Sequence, residues 1–257
     1  MADHTAANEE SRHLQSEIIC CVNDTDPKEV LREARQLVKS QQYAAALEKY
    51  IWFHNHALHV NQSLAGVRLS YAISEWADLG VVYPPARRAL ESVRDAKTEA
   101  LMRGTPDTNL FHDVASINRA FGQTERTRDL FKSIAASDRG VAAKCLHVAL
   151  ESLVHTKEFD LARSFMTDAR KEVDQFAIPF RFGSQRTGSV PPETVQEALV
   201  GVYVKRVGLI LRVFAGVGEE SEADNLRNYA IERVPDAELR DRVMERLYPS
   251  PPSRRIQ

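Results

Sequence analysis

The stretch Gln41-Gln42-Tyr43-Ala44-Ala45-Ala46-Leu47-Glu48-Lys49-Tyr50 sets two tyrosines seven residues apart with a small residue between them. On a helix, steps of three and four residues keep Tyr43, Ala46 and Tyr50 on one face. The small side chain admits a neighbouring helix at close range, and the bulky pair fills the space on either side. The same bulky–small–bulky spacing returns at Tyr83, Ala86 and Leu90, and at Phe159, Ala162 and Met166. Thr124, Thr127 and Phe131 form a weaker copy behind a turn at Phe121-Gly122, and Glu220, Ala223 and Arg227 the weakest. The copies start at 43, 83, 124, 159 and 220, in steps of 40, 41, 35 and 61 residues, and the last step contains a long loop.

An amphipathic segment precedes each of the first four copies: Val30-Ala34-Leu37, Ile73-Ala77, Val114-Ala115 and Leu146-Ala149-Leu153. The punctuation agrees. Asp26-Pro27-Lys28-Glu29 holds a capping carboxylate, a proline suited to a first helical turn and an early glutamate, so a helix is expected from there to about Ser40. A second is expected from Gln42 to about Leu58. Tyr83-Pro84-Pro85 opens a helix closed by Gly104 and Pro106, Asp107 or Thr108 opens the next, and Asp138 caps another. Glu193 to Ala215 is apolar on more than one side, as a helix packed between neighbours would be. Asp236 to Leu247 reads as a shorter, charge-rich helix that ends the stack. Two helices per repeat at this period predict an all-α fold, an α-α superhelix or solenoid of about five antiparallel helix pairs.

This organisation gives a flexible tail over 1–24, a repeat domain over 25–248 and a second flexible tail over 249–257. The stretch from Pro179 to Pro192 lacks a helical stripe and is longer than an ordinary connection, which marks it as a functional or a disordered loop. The composition fits a folded chain. Of 257 residues 43% are hydrophobic, and 34 basic residues against 36 acidic leave a net charge of −2. So balanced a chain has no global field with which to hold a nucleic acid or an anionic membrane. The three cysteines include Cys20-Cys21 and Cys145, and reduced thiols of a cytoplasmic protein are the simplest reading. Met1 to Glu10 is polar and acidic where a signal peptide needs a basic start and an apolar run, which also points to the cytoplasm.

The helix pairs resemble tetratricopeptide repeats, which carry a small residue in the first helix and an aromatic–small–aromatic stripe on the second. Ala34, Leu37, Tyr43, Ala46 and Tyr50 follow that pattern, and Leu150, Leu153, Phe159, Ala162 and Ala169 follow it in part. The resemblance covers about residues 27 to 235 and implies protein–protein binding along a groove lined by the first helix of each pair. The register then sets Arg35 on the groove in the first pair, and Arg68, Tyr71, Glu75 and Asp78 in the second. His112, Ser116 and Arg119 follow in the third pair, Lys144, His147 and Glu151 in the fourth, and Lys205 and Arg212 in the last. Acidic groups gather in the second pair and cations beyond it, so charge order would orient a bound peptide. The family's carboxylate-gripping set is broken at Leu31, which argues against capture of a peptide C-terminus. Arg181 and Arg186, beside Phe180 and Phe182 in the long loop, form a second candidate contact.

Little in the sequence suggests catalysis. His54 and His56 point about 200° apart on a helix and cannot meet on one ion, so with His59 they read as interface histidines beside Trp52 and Phe53. No phosphate loop, nucleophile elbow or dinucleotide fingerprint occurs. Carboxylates fall beside Lys or Arg on ordinary solvated helix faces. The expectation is a non-catalytic binder of a protein or peptide, with no cofactor and no metal, acting as adaptor, chaperone or immunity-type inhibitor. A small-ligand-sensing regulator with an apolar pocket, walled by the Glu193–Ala215 helix, is the alternative reading. A degenerate hydrolase, resting only on the histidines, comes third.

Overall fold

The computed structural model describes residues 25–104, 107–182 and 191–248. The tails, Cys20-Cys21, Phe182's side chain and residues 183–190, with Arg186, lie outside the described residues. The described chain is helical and contains no strand. In order it forms α1 (Pro27–Lys39), α2 (Tyr43–Val60), a 3-10 turn (Gln62–Leu64), an α turn (Ala65–Val67), a π turn (Arg68–Ala72) and α3 (Ile73–Val82). There follow α4 (Pro84–Arg103), α5 (Thr108–Ala120), α6 (Thr124–Ser137), α7 (Arg139–His155), α8 (Phe159–Arg163) and α9 (Ala169–Phe182). The last three are α10 (Pro192–Gly216), α11 (Glu220–Glu232) and α12 (Ala237–Leu247). None of these helices is long and apolar enough to cross a membrane.

Starts and stops have local causes. The Asp26 carboxylate accepts the Lys28 N–H at 2.9 Å with Pro27 in the first turn. Asp107, Asp138 and Asp236 cap α5, α7 and α12 in the same way. The turns also repeat. Among the described residues, positive φ occurs at Gln41, Gly122, Lys157 and Gly218. Each closes a helix with the same pair of backbone bonds: the left-handed residue bonds three back, and the next N–H bonds five back. The five-back bonds are Gln42 to Leu37, Gln123 to Asn118, Glu158 to Leu153 and Glu219 to Phe214. In every case the bulky–small–bulky copy begins two residues later, at Tyr43, Thr124, Phe159 and Glu220. One turn geometry thus recurs in step with one packing pattern.

The chain divides into two compact bodies at Cys145/Leu146, within α7. In the N-terminal body α1 packs on α2, α3 on α4, α4 on α5 and α5 on α6, and α3 also lies against α5. Tyr83, between α3 and α4, packs against Tyr43 with the rings tilted by 32° and their centroids 6.1 Å apart, so the leading positions of successive copies meet. Ala46, Ala86 and Thr127, the small positions, are fully or almost fully buried. Trp76 donates from Nε1 to the Ala86 carbonyl at 2.9 Å, tying α3 to α4 at the small position itself.

The C-terminal body departs from the expected helix limits. Ala162 and Ala223 are buried, but α8 stops after five residues, and Met166 lies beyond it. The cause is a new start: the Asp168 carboxylate accepts the Lys171 N–H at 3.0 Å and caps α9. α9 then continues through Pro179 to Phe182, so the first four residues of the expected loop are helical. A proline in a last turn loses one backbone bond without the run of following turns it would disrupt in mid-helix. α10 packs on α8, α9, α11 and α12 and buries Tyr203, Val207, Ile210 and Phe214 among other residues.

Candidate binding surface

Two cross-helix contacts bring the first-helix side chains of the N-terminal body onto one face. The Arg35 guanidinium of α1 grips both carboxylate oxygens of Glu75 on α3, with Nε 3.0 Å from each and Nη2 2.9 Å from Oε1. That carboxylate raises the Arg35 pKa. From α5, Arg119 donates to the Leu69 carbonyl in the π turn at 3.2 Å. Tyr71, 68% exposed, and the exposed Asp78 complete the second pair's contribution. Tyr50 lies beneath, its hydroxyl pushed to a higher pKa by burial first and by Glu75 second.

Arg68 is the exception. Placed on the groove by an unbroken α register, it is instead 8% exposed and turned inward. The physical reason is the π turn over Arg68–Ala72: its wider winding inserts a residue and rotates Arg68 away from the line of Tyr71, Glu75 and Asp78. Its Nε donates to the His54 carbonyl at 2.7 Å and its Nη groups to both oxygens of Asp113. Lys97 of α4 donates to the same carboxylate. Burial alone would raise the Asp113 pKa, but the hydrogen bonds and charges of Arg68 and Lys97 outweigh it and hold the carboxyl below its ordinary value. His54 is 4% exposed rather than at an interface. Burial, then the adjacent Arg68 cation, lowers its pKa to about 3. The neutral ring accepts from Arg68 Nη2 at 3.1 Å through Nε2, so Nδ1 carries the proton. Nδ1 has no hydrogen-bond partner among the described residues.

Asp113 thus corrects the reading of carboxylates as uniformly solvated, and a signal was present. It lies between Phe111 and Val114 and one helical turn before Ile117, all buried. Lys97 and the Leu69 carbonyl had no such signal, because the partner of Lys97 lies on another helix and the Leu69 carbonyl belongs to the π turn. On α5, His112 is half-buried and Ser116 is buried. Lys144 is exposed on the part of α7 within the N-terminal body.

The remaining predicted residues belong to the C-terminal body. Glu151 of α7 pairs with Lys205 of α10 at 2.7 Å, another contact between expected first helices. His147 and Arg212 are exposed, and Arg212 turns back to the Gly208 carbonyl. Arg181 is exposed at the end of α9, while Phe180 packs edge-on against Tyr203 with centroids 5.1 Å apart. Beside that pair opens a cleft of about 250 Å³ lined by Phe176, Pro179, Phe180, Leu199, Val202 and Tyr203, among others. Among the described residues no three His, Cys, Asp or Glu side chains gather in a metal-binding group.

No protein family matches the chain, and neither does any curated protein or any solved structure.

Proposed function

We propose that the protein is a non-catalytic protein–protein interaction module, a tetratricopeptide-like helical repeat that binds a protein or peptide along its first helices. The observation that carries this reading is that direct contacts between first helices join Arg35 to Glu75 and Arg119 to the Leu69 carbonyl, with Tyr71 exposed on the same helical run. A large aromatic left 68% exposed among fixed charges suits a recognition surface better than a solvated face. Adaptor, chaperone and immunity-type inhibitor all fit this reading, as does work in the cytoplasm, where a free buried thiol such as Cys145 stays reduced. The test is affinity capture from the native cell with the wild type and with the variant Tyr71→Ser. Loss of specific partners from the variant is the expected result; identical recovery removes this face from the reading.

One observation favours a second reading, a regulator that senses a small ligand. The cleft beside Phe180 is mostly apolar and walled by α10. Thermal shift against a panel of apolar metabolites tests it, with Val202→Arg expected to abolish any stabilisation.

A further inference from the structure

The face just described is more specific than a groove of mixed charge. Four large apolar side chains are exposed in the N-terminal body among the described residues, and three of them, Tyr71, Val81 and Val82, stand on the helical run from 68 to 82. Tyr71, Glu75, Asp78 and Val82 follow one another at steps of four, three and four residues, so they share a face about 16 Å long. Tyr71 and Val82, 68% and 59% exposed, mark its two ends. Between them stand two carboxylates in different states. Glu75 is held by Arg35 from α1. Asp78 is exposed and pairs with no cation among the described residues.

Arg35 is neutralised by Glu75, and Arg119 lies beyond the Tyr71 end, donating to the Leu69 carbonyl. Between the two exposed apolar ends the charge without a counter-ion among the described residues is therefore that of Asp78. We propose that this face binds a basic protein segment, seating a Lys or Arg on Asp78 with apolar side chains against Tyr71 and Val82. The inference rests on the binding reading above and names the partner's chemistry. An acidic segment seated between Tyr71 and Val82 would set like charge directly against Asp78, which makes charge sign at that point the basis of selection. Apolar anchors around one ion pair also shield it from water, which strengthens an exposed interaction that is weak by itself.

Selection from a random peptide library displayed on phage, against the full-length protein, tests this directly. The expected outcome is enrichment of peptides with Lys or Arg flanked by apolar residues. Synthetic versions of the enriched peptides should bind Asp78→Lys about tenfold or more weakly and Tyr71→Ser similarly, each variant keeping the wild-type helical circular dichroism and melting temperature. Both side chains are exposed, so folding is not at stake. Enriched peptides that are acidic or uncharged, yet still depend on Tyr71, overturn the basic-partner inference and leave the binding face standing. Peptides indifferent to both substitutions, or no enrichment at all, overturn the inference together with the face.

Discussion

Arg68 and Asp113 meet end-on inside the N-terminal body, Nη1 to Oδ1 at 2.5 Å and Nη2 to Oδ2 at 2.9 Å, across 45 residues of sequence. The pair joins the π turn to α5 and, through the Arg68 Nε bond to the His54 carbonyl, to α2. Removing one partner strands a buried charge. Asp113→Ala is expected to cost about 3–5 kcal/mol in urea unfolding, whereas Arg68→Met with Asp113→Leu costs less than either single change. Additive losses in the double variant would show that the pair is not a coupled unit.

His54 makes stability depend on pH. Its ring stays neutral in the fold down to about pH 3. In the unfolded chain it takes up a proton below about 6.5. Between these limits the unfolded state binds the extra proton, so stability is fully present above the upper limit and falls as pH drops. The expected slope is about 1.4 kcal/mol per pH unit. His54→Gln, which keeps an acceptor for Arg68, should flatten this slope between pH 6.5 and 4 in urea midpoints. An unchanged pH profile would place the proton uptake elsewhere.

The repeated turn makes a prediction of opposite signs. Gln41 and Lys157 occupy the left-handed region with side chains, at φ 61° and 60°, where glycine sits at Gly122 and Gly218. Gln41→Gly and Lys157→Gly are expected to stabilise slightly, by up to about 1 kcal/mol, and Gly122→Ala and Gly218→Ala to destabilise by about as much. Thermal melts of the four variants check this. The same sign at all four positions would contradict a shared turn.

These turns show what was legible in the chain. Asp26, Asp107, Asp138 and Asp236 announced helix starts because a short acceptor next to free N–H groups acts locally. Ala46, Ala86, Ala162 and Ala223 announced burial because a small residue at a fixed helical spacing has one geometric use. Arg35, Tyr71, Glu75 and Arg119 followed from the same register. Arg68 did not, because the π turn shifts it by an insertion invisible to a period of 3.6. Met166 was placed on a helix that Asp168 ends, a local signal overridden by the longer stripe. His54 and Asp113 were read as surface groups because their partners come from other helices, 14 and 45 residues away.

If the line of first helices in the N-terminal body meets a partner, a photo-crosslinker placed on it captures that partner in the native cell. A benzophenone side chain is installed at Tyr71, and separately at Arg88, exposed on the second helix α4. A discrete crosslinked protein is expected from position 71 and none from position 88. Crosslinks from 88 alone, or none from 71, would rule this binding face out.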